Sequence, residues 1–125
     1  MIDKPIHKIK LEELKSILGA QVIFGNDLLS MEIDTVSASD MMSNALAFAK
    51  EGSLLLTGLA NQQVVRTAEM AGIAAICFVR GKAPQENTVI LAKEKKIPLL
   101  ATELSMFEAC GRLHKEGLHG YDEIK

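Results

Sequence analysis

Tryptophan is absent from this chain, and aromatic residues make up only 4% of it, one tyrosine and four phenylalanines. A core without large rings must close on aliphatic side chains and methionine, packed at short range. Cysteine is almost as scarce, with Cys77 in an apolar run and Cys110 in a helical pattern. Both are places where a free cysteine acts as a small hydrophobe, as expected in the reducing cytoplasm, and not members of a disulfide scaffold. Neither stands at metal-ligand spacing with His7, His114 or His119, so no metal is expected. Cys110 and His114 share a helical face by their i, i+4 spacing, but Phe107 and Gly111 lie on it too, and burial is the expected state of the thiol.

Neither sign of charge dominates. Fourteen Lys and Arg stand against sixteen Asp and Glu, a net charge of −2. Without a basic surplus no nucleic-acid partner is expected. The run Lys93, Lys95, Lys96 reads as the wet face and last turn of a helix. No segment approaches the ~20 apolar residues of a membrane span, and the polar, proline-broken start Met1–Pro5 has no apolar segment of signal type. The expected location is therefore cytoplasmic, with no membrane contact. Two phosphate-binding signatures are also missing: there is no G-x-x-x-x-G-K-[ST] and no G-x-G-x-x-G after a strand.

What is present is apolar residue, 48% of 125 positions, enough for one domain over 1–125 with a real core. Leu11, Leu14 and Leu18 give a short helix stopped by Gly19, followed by a strand over 20–24 and a weaker one over 32–36. Ser39 and Asp40 read as caps of a helix whose apolar face is Met42, Ala45, Leu46 and Ala49. Then three strand–helix units follow in the C-terminal half. Apolar runs at 54–57, 74–79 and 98–101 each lead into a helix: from Asn61 to Ala71, from Pro84 to before Pro98, and from Ser105 to Lys115 behind a Ser105…Glu108 capping box. The runs are apolar on both faces instead of alternating, as parallel strands covered by helices require. The fold class is α/β, a mainly parallel sheet with helices packed on it. Leu55, Ile76, Phe78 and Leu100 are expected in the core, and the polar tail from Gly117 is expected to be loosely held or to pack on a partner.

In such a sheet, ligands bind beyond the C-terminal ends of the strands, where helix N-termini offer free N–H groups to anions. That places the candidate ligand-binding residues at Thr57, Gly58, Asn61 and Gln62 after the first run, Arg80 and Gly81 after the second, and Ser105 after the third. Arg80 and Lys82 add charge, and Arg80 can make two parallel hydrogen bonds to a phosphate or carboxylate. Gly58 reads either as a close approach to a phosphate or as a turn glycine with positive φ. Asn61 and Ser105 are also ordinary caps. No catalytic set is expected: Asp40 has no second carboxylate or histidine near it in sequence, and capping accounts for it.

Between Asp34 and Leu118 the segments Ser39-Asp40-Met41-Met42, Lys50-Glu51-Gly52, Asn61-Gln62-Gln63, Ala71-Gly72-Ile73-Ala74-Ala75-Ile76, Arg80-Gly81-Lys82-Ala83-Pro84, Ile97-Pro98-Leu99-Leu100 and Ser105-Met106-Phe107-Glu108 follow one another in an order that resembles the DRTGG domain family. The resemblance implies a domain similar to the N-terminal domain of bacterial HPr kinase/phosphorylase, here free-standing and without the kinase's phosphate loop. It implies a regulatory or ligand-binding role with no established reaction and no cofactor. The name-giving motif is altered: where the family has Asp-Arg this chain has Leu59-Ala60 or Asn61-Gln62, and where it has Thr-Gly-Gly this chain has Val79-Arg80-Gly81.

The functional expectation is a non-catalytic module that binds a small anionic or phosphorylated ligand or docks a partner protein. A small phosphoryl- or acyl-transfer enzyme using Asp40, Arg80 and the helix N-termini, and a purely structural assembly subunit, are the competing readings. A homodimer is expected because a chain this short has much surface for its core. Its candidate interfaces are the methionine-rich start of the 40–50 helix and the C-terminal helix.

Overall fold

The computed structural model describes residues 8–120, so His7 and the tail 121–125 lie outside the described residues. The elements run β1 (Ile9–Lys10), α1 (Leu11–Leu18), β2 (Gln21–Phe24), a 3-10 turn (Asn26–Leu28), β3 (Glu32–Ile33), β4 (Val36–Ala38), α2 (Met42–Phe48), β5 (Leu54–Thr57), α3 (Gln62–Ala71), β6 (Ala75–Phe78), α4 (Glu86–Lys95), β7 (Leu99–Ala101) and α5 (Met106–Lys115). Five strands form the main sheet in the order β2-β7-β6-β5-β4, while β1 and β3 form a separate antiparallel pair. The four strands β4 to β7 are mutually parallel, and β2 joins β7 antiparallel. The fold is thus α/β with a mostly parallel sheet, and the three strand–helix units are β5–α3, β6–α4 and β7–α5.

The layering follows from handedness. β4, β5, β6 and β7 lie side by side in sequence order, so every crossover steps in the same direction. Right-handed crossovers then put all three connecting helices on one face. The packing agrees. Met42 and Ala45 of α2, Val64, Val65 and Ala68 of α3, and Leu91 and Ala92 of α4 share one cluster with Leu55, Ile76, Phe78 and Leu99. The opposite face holds Leu14 and Leu18 of α1 and Ala109 and Leu113 of α5 against Leu54, Leu56, Ala75, Cys77 and Leu100. Alternate strand residues go to alternate faces, and because both are covered every residue of β5 and β6 is buried. Leu55, Ile76, Phe78 and Leu100 are all core.

Four expectations need correction. The 32–36 segment is not one strand: Ile33 pairs with Ile9 in the small sheet, and Val36 starts β4 beside Leu54 in the large one. Ser39 and Asp40 do not cap α2, which begins at Met42 after Met41 with no side-chain cap. Ser39 instead closes a tight turn, its Oγ accepting from the Met41 N–H (3.0 Å), and Asp40 is drawn to another loop. Pro84 precedes α4 without opening it, since the helix starts at Glu86. Finally, the start of the tail is docked: Leu118 is buried, and the Val36 N–H donates to the His119 carbonyl across a parallel bridge between Thr35 and His119.

Candidate functional site

At the C-terminal edge of the parallel strands, β5 and the β7 end are finished in the same way. Thr57 closes β5 and Thr102 follows β7, and both are buried. Each hydroxyl accepts the N–H two residues on, from Leu59 (3.1 Å) and Leu104 (3.2 Å). Each also donates across to another element: Thr57 to Asp40 Oδ1 (3.2 Å) and Thr102 to the Leu18 carbonyl (2.6 Å). The repeated Thr-x-Leu, Thr57-Gly58-Leu59 and Thr102-Glu103-Leu104, was the available signal for this pairing. Thr102 was not among the sequence candidates.

Gly58 does not have a positive φ. It is a position of close approach, and the group that approaches is Asp40. The Gly58 N–H donates to Asp40 Oδ1 at 2.6 Å, and a Cβ on Gly58 would meet that oxygen at 3.4 Å. The N–H that could have held a ligand anion at this loop therefore holds the chain's own carboxylate. The bond is charge-assisted, the stronger class of hydrogen bond.

Between these threonine turns, β6 ends differently. Arg80 and Gly81 both take the left-handed conformation, φ 59° and 67°. Gly81 is suited to it, and its missing Cβ also makes room for Glu103, whose carboxylate oxygens would lie 2.7 Å from a Cβ there. Arg80 is not suited, and an L-residue pays about 1–2 kcal/mol in this region. It stands where the resemblance puts the family's first glycine, which would adopt this turn freely. The turn is pinned through its backbone: the Arg80 N–H donates to the Leu104 carbonyl (2.8 Å) and the Gly81 N–H to the Thr102 carbonyl (2.7 Å). The Arg80 side chain is left exposed and, like Lys82, forms no ion pair among the described residues.

Asn61 and Ser105 are caps: Asn61 Oδ1 accepts the Gln63 N–H (3.1 Å) and Ser105 Oγ the Glu108 N–H (3.2 Å). The other half of the capping box is absent, because Glu108 pairs with Arg112 at 3.2 Å. Gln62 Nε2 donates to the Asn87 carbonyl in the first turn of α4 (3.4 Å). The seven candidates thus share one edge of the sheet without converging on one point.

A cleft of about 370 Å³ opens on that edge at the β7–β2 boundary, lined by Gly19, Gln21, Ile23, Gly81, Lys82, Ala83, Pro84, Val89, Ala101 and Glu103. Its place is set by topology. α4 follows β6 onto one face of the sheet and α5 follows β7 onto the other, so the loops after β6 and β7 diverge, and antiparallel β2 begins beside the end of β7. Crevices for ligands form where neighbouring parallel strands send their helices to opposite faces. Ile23, Val89 and Ala101 supply an apolar floor, while Gln21, Lys82 and Glu103 supply polar groups of both signs. Of the seven candidates only Gly81 lines it, with Arg80 adjacent in the chain. Lys82 is the added charge that the sequence placed beside Arg80, whereas Gln21 and Glu103 were missed as site residues because their proximity depends on strand order.

The two cysteines and the two described histidines lie away from this edge. Burial pushes the Cys77 thiol up to about 12 and raises that of Cys110, so neither is an activated nucleophile. His114 and His119 meet edge to face with ring centroids 5.8 Å apart. Among the described residues no helix is long and apolar enough to cross a membrane.

The DRTGG domain family model matches residues 13–115. Among solved structures, the chain is similar to the CBS and DRTGG domains of the regulatory region of Clostridium perfringens pyrophosphatase, complexed with its activator diadenosine tetraphosphate, with a TM-score of 0.67 at 17% identity. The similarity covers 81% of this chain and 44% of that one, so this chain spans less than half of the structure it resembles. No curated protein matches.

Proposed function

The chain belongs to the DRTGG domain family, and from that premise we propose that it is a non-catalytic regulatory module, cytoplasmic, that binds a small phosphorylated ligand at the β7–β2 cleft and the Arg80 loop beside it. The observation that carries this reading is Arg80: a cation held in a costly left-handed turn, exposed, and without an ion pair among the described residues. Strained positions of this kind cluster at ligand clamps. A phosphate would take the Arg80 fork and the Lys82 ammonium. Gln21 and Glu103 would accept from amino or hydroxyl groups, and the apolar floor would take a flat or aliphatic moiety. A volume of about 370 Å³ falls at the lower end of the ~300–1,000 Å³ common for small-molecule sites.

The C. perfringens regulatory region was crystallised with a dinucleotide polyphosphate, which makes nucleotides the first class to try here. Thr57, Gly58, Asn61, Gln62 and Ser105 enter the proposal as the frame of the edge. The first two hold Asp40 and not the ligand, and the other three make hydrogen bonds at the starts of α3, α4 and α5. Asp40, the carboxylate that a transferase reading would use, is held by Gly58 and Thr57.

Calorimetric titration with nucleotides, diadenosine tetraphosphate and phosphorylated metabolites tests the proposal. At least one should bind, and Arg80→Ala should weaken it about tenfold or more, roughly 1.4 kcal/mol, with the fold intact. If no phosphorylated compound binds, the ligand class is wrong. If one binds equally well to Arg80→Ala, the role of Arg80 is wrong.

A further inference from the structure

Given a phosphate held by Arg80 and Lys82, as proposed for this cleft, we infer that Glu103 makes the ligand a ribonucleoside 5′-phosphate, its carboxylate accepting from the 2′- and 3′-hydroxyls. Glu103 follows the buried Thr102 at the end of β7 and lines the cleft. Its carboxylate lies broadside on Gly81. Both oxygens stand 2.7 Å, and the carboxyl carbon 2.9 Å, from the place a Gly81 Cβ would take. Gly81 is flanked in the chain by Arg80 and Lys82. Its N–H ties the two loops together by donating to the Thr102 carbonyl at 2.7 Å. A carboxylate is thus packed onto the residue between two cations, yet among the described residues it pairs with neither. Opposite charges held side by side and unpaired suit a ligand that joins them, with an anion for the cations and hydrogen-bond donors for the carboxylate.

Those donors are hydroxyls and not an ammonium. Two cations flank one carboxylate, so the local charge is net positive. A further positive charge there would be repelled by Arg80 and Lys82, whereas a hydroxyl donates without charge. An ionised carboxylate only accepts, and the two oxygens of Glu103 are level, one for each hydroxyl of a neighbouring pair. In doubly wound sheets an acidic residue at the ligand edge takes ribose hydroxyls in this way. The rest of the lining says what else the ligand carries. Ile23, Val89 and Ala101 form an apolar floor, which a bare sugar phosphate would leave wet and a base would cover. At about 370 Å³ the cleft is small for a ligand site and has room for one nucleoside unit.

Calorimetric titration of the full chain with adenosine 5′-monophosphate (AMP), its 2′,3′-dideoxy analogue and inorganic phosphate tests this. The parent should bind the dideoxy compound about tenfold or more weaker than AMP, the expected loss of hydrogen bonds to a charged group. Glu103 is exposed, so substituting it leaves the core alone. Glu103→Ala and the closer-sized Glu103→Gln should each weaken AMP by about that factor and leave the dideoxy compound within about twofold. Neither should weaken inorganic phosphate. A merely structural role for Glu103 would not give this pattern, because a distorted cleft loses all three probes. A parent that binds both nucleotides alike, or binds another phosphate ester but not AMP, overturns the diol reading alone. Glu103 variants that keep the preference for the diol, or that weaken every probe equally, also overturn it. A parent that binds no phosphorylated compound overturns the phosphate site as well.

Discussion

Two neighbouring loops at the C-terminal edge of the sheet, after β5 and after β6, dispose of their N–H groups in opposite ways. The β5 loop gives the Gly58 N–H to a side-chain carboxylate from a third loop, and so fills with a negative charge the place an anion would want. The β6 loop gives the Arg80 and Gly81 N–H groups to backbone carbonyls, which rigidifies the turn and leaves a cationic side chain over for other use. Both loops hang from buried strands, and their helices pack on the same face. The contrast teaches that a helix start at a strand end is not by itself an anion site. What matters is whether the chain has already answered its own donors.

The strand they flank sets the largest effect. Phe78 lies fully buried in β6, and Phe78→Ala should lower unfolding free energy by about 3–5 kcal/mol in urea titration. A loss under ~0.5 kcal/mol would show that neither loop depends on that strand's packing.

Asp40→Ala comes next. It removes a charge-assisted bond to Gly58 and the bond to Thr57, and should lose about 1.5–3 kcal/mol. It should also free the Gly58 N–H, so that inorganic phosphate restores part of the melting temperature in the variant and raises the parent's much less. Equal phosphate response in both proteins would break the contrast between the loops.

Gly81→Ala should lose about 1–2 kcal/mol from its left-handed φ, with a further loss from the Glu103 carboxylate its Cβ would strike. Glu103→Ala in the same chain should return that second part, as a double-mutant cycle on denaturation midpoints would read.

The smallest effect has the opposite sign. Arg80→Gly should stabilise by up to about 1 kcal/mol, since glycine enters the left-handed turn freely while loosening the unfolded chain. Stabilisation together with lost ligand affinity would mark Arg80 as kept for binding; stabilisation with affinity unchanged would leave its strain without a purpose.

Much of the scaffold was legible because its signals are local. The apolar runs that became β5, β6 and β7 are buried on both faces, and that double burial is written in their composition. Asn61 and Ser105 cap the helices they precede through donors two and three residues away. The one strong local misreading, Ser39-Asp40 as a helix cap, arose because the same residue types serve caps and long-range bonds alike. Asp40 had a nearer partner in space, eighteen residues along the chain, than the helix it precedes.

The sequence by itself determined that this is an α/β chain with three consecutive strand–helix units, which residues are core, and that Arg80 ends an apolar strand. Periodicity and composition record burial, and burial is nearly all that those elements need. Only the tertiary structure decided that β2 runs antiparallel beside β7, that the cleft opens there, that Asp40 fills the β5 loop, and that Arg80 sits where the backbone favours glycine. Each of these depends on which strand ends become neighbours. Neighbourhood across a sheet is set by the sum of all the packing, and no single stretch of the chain carries it.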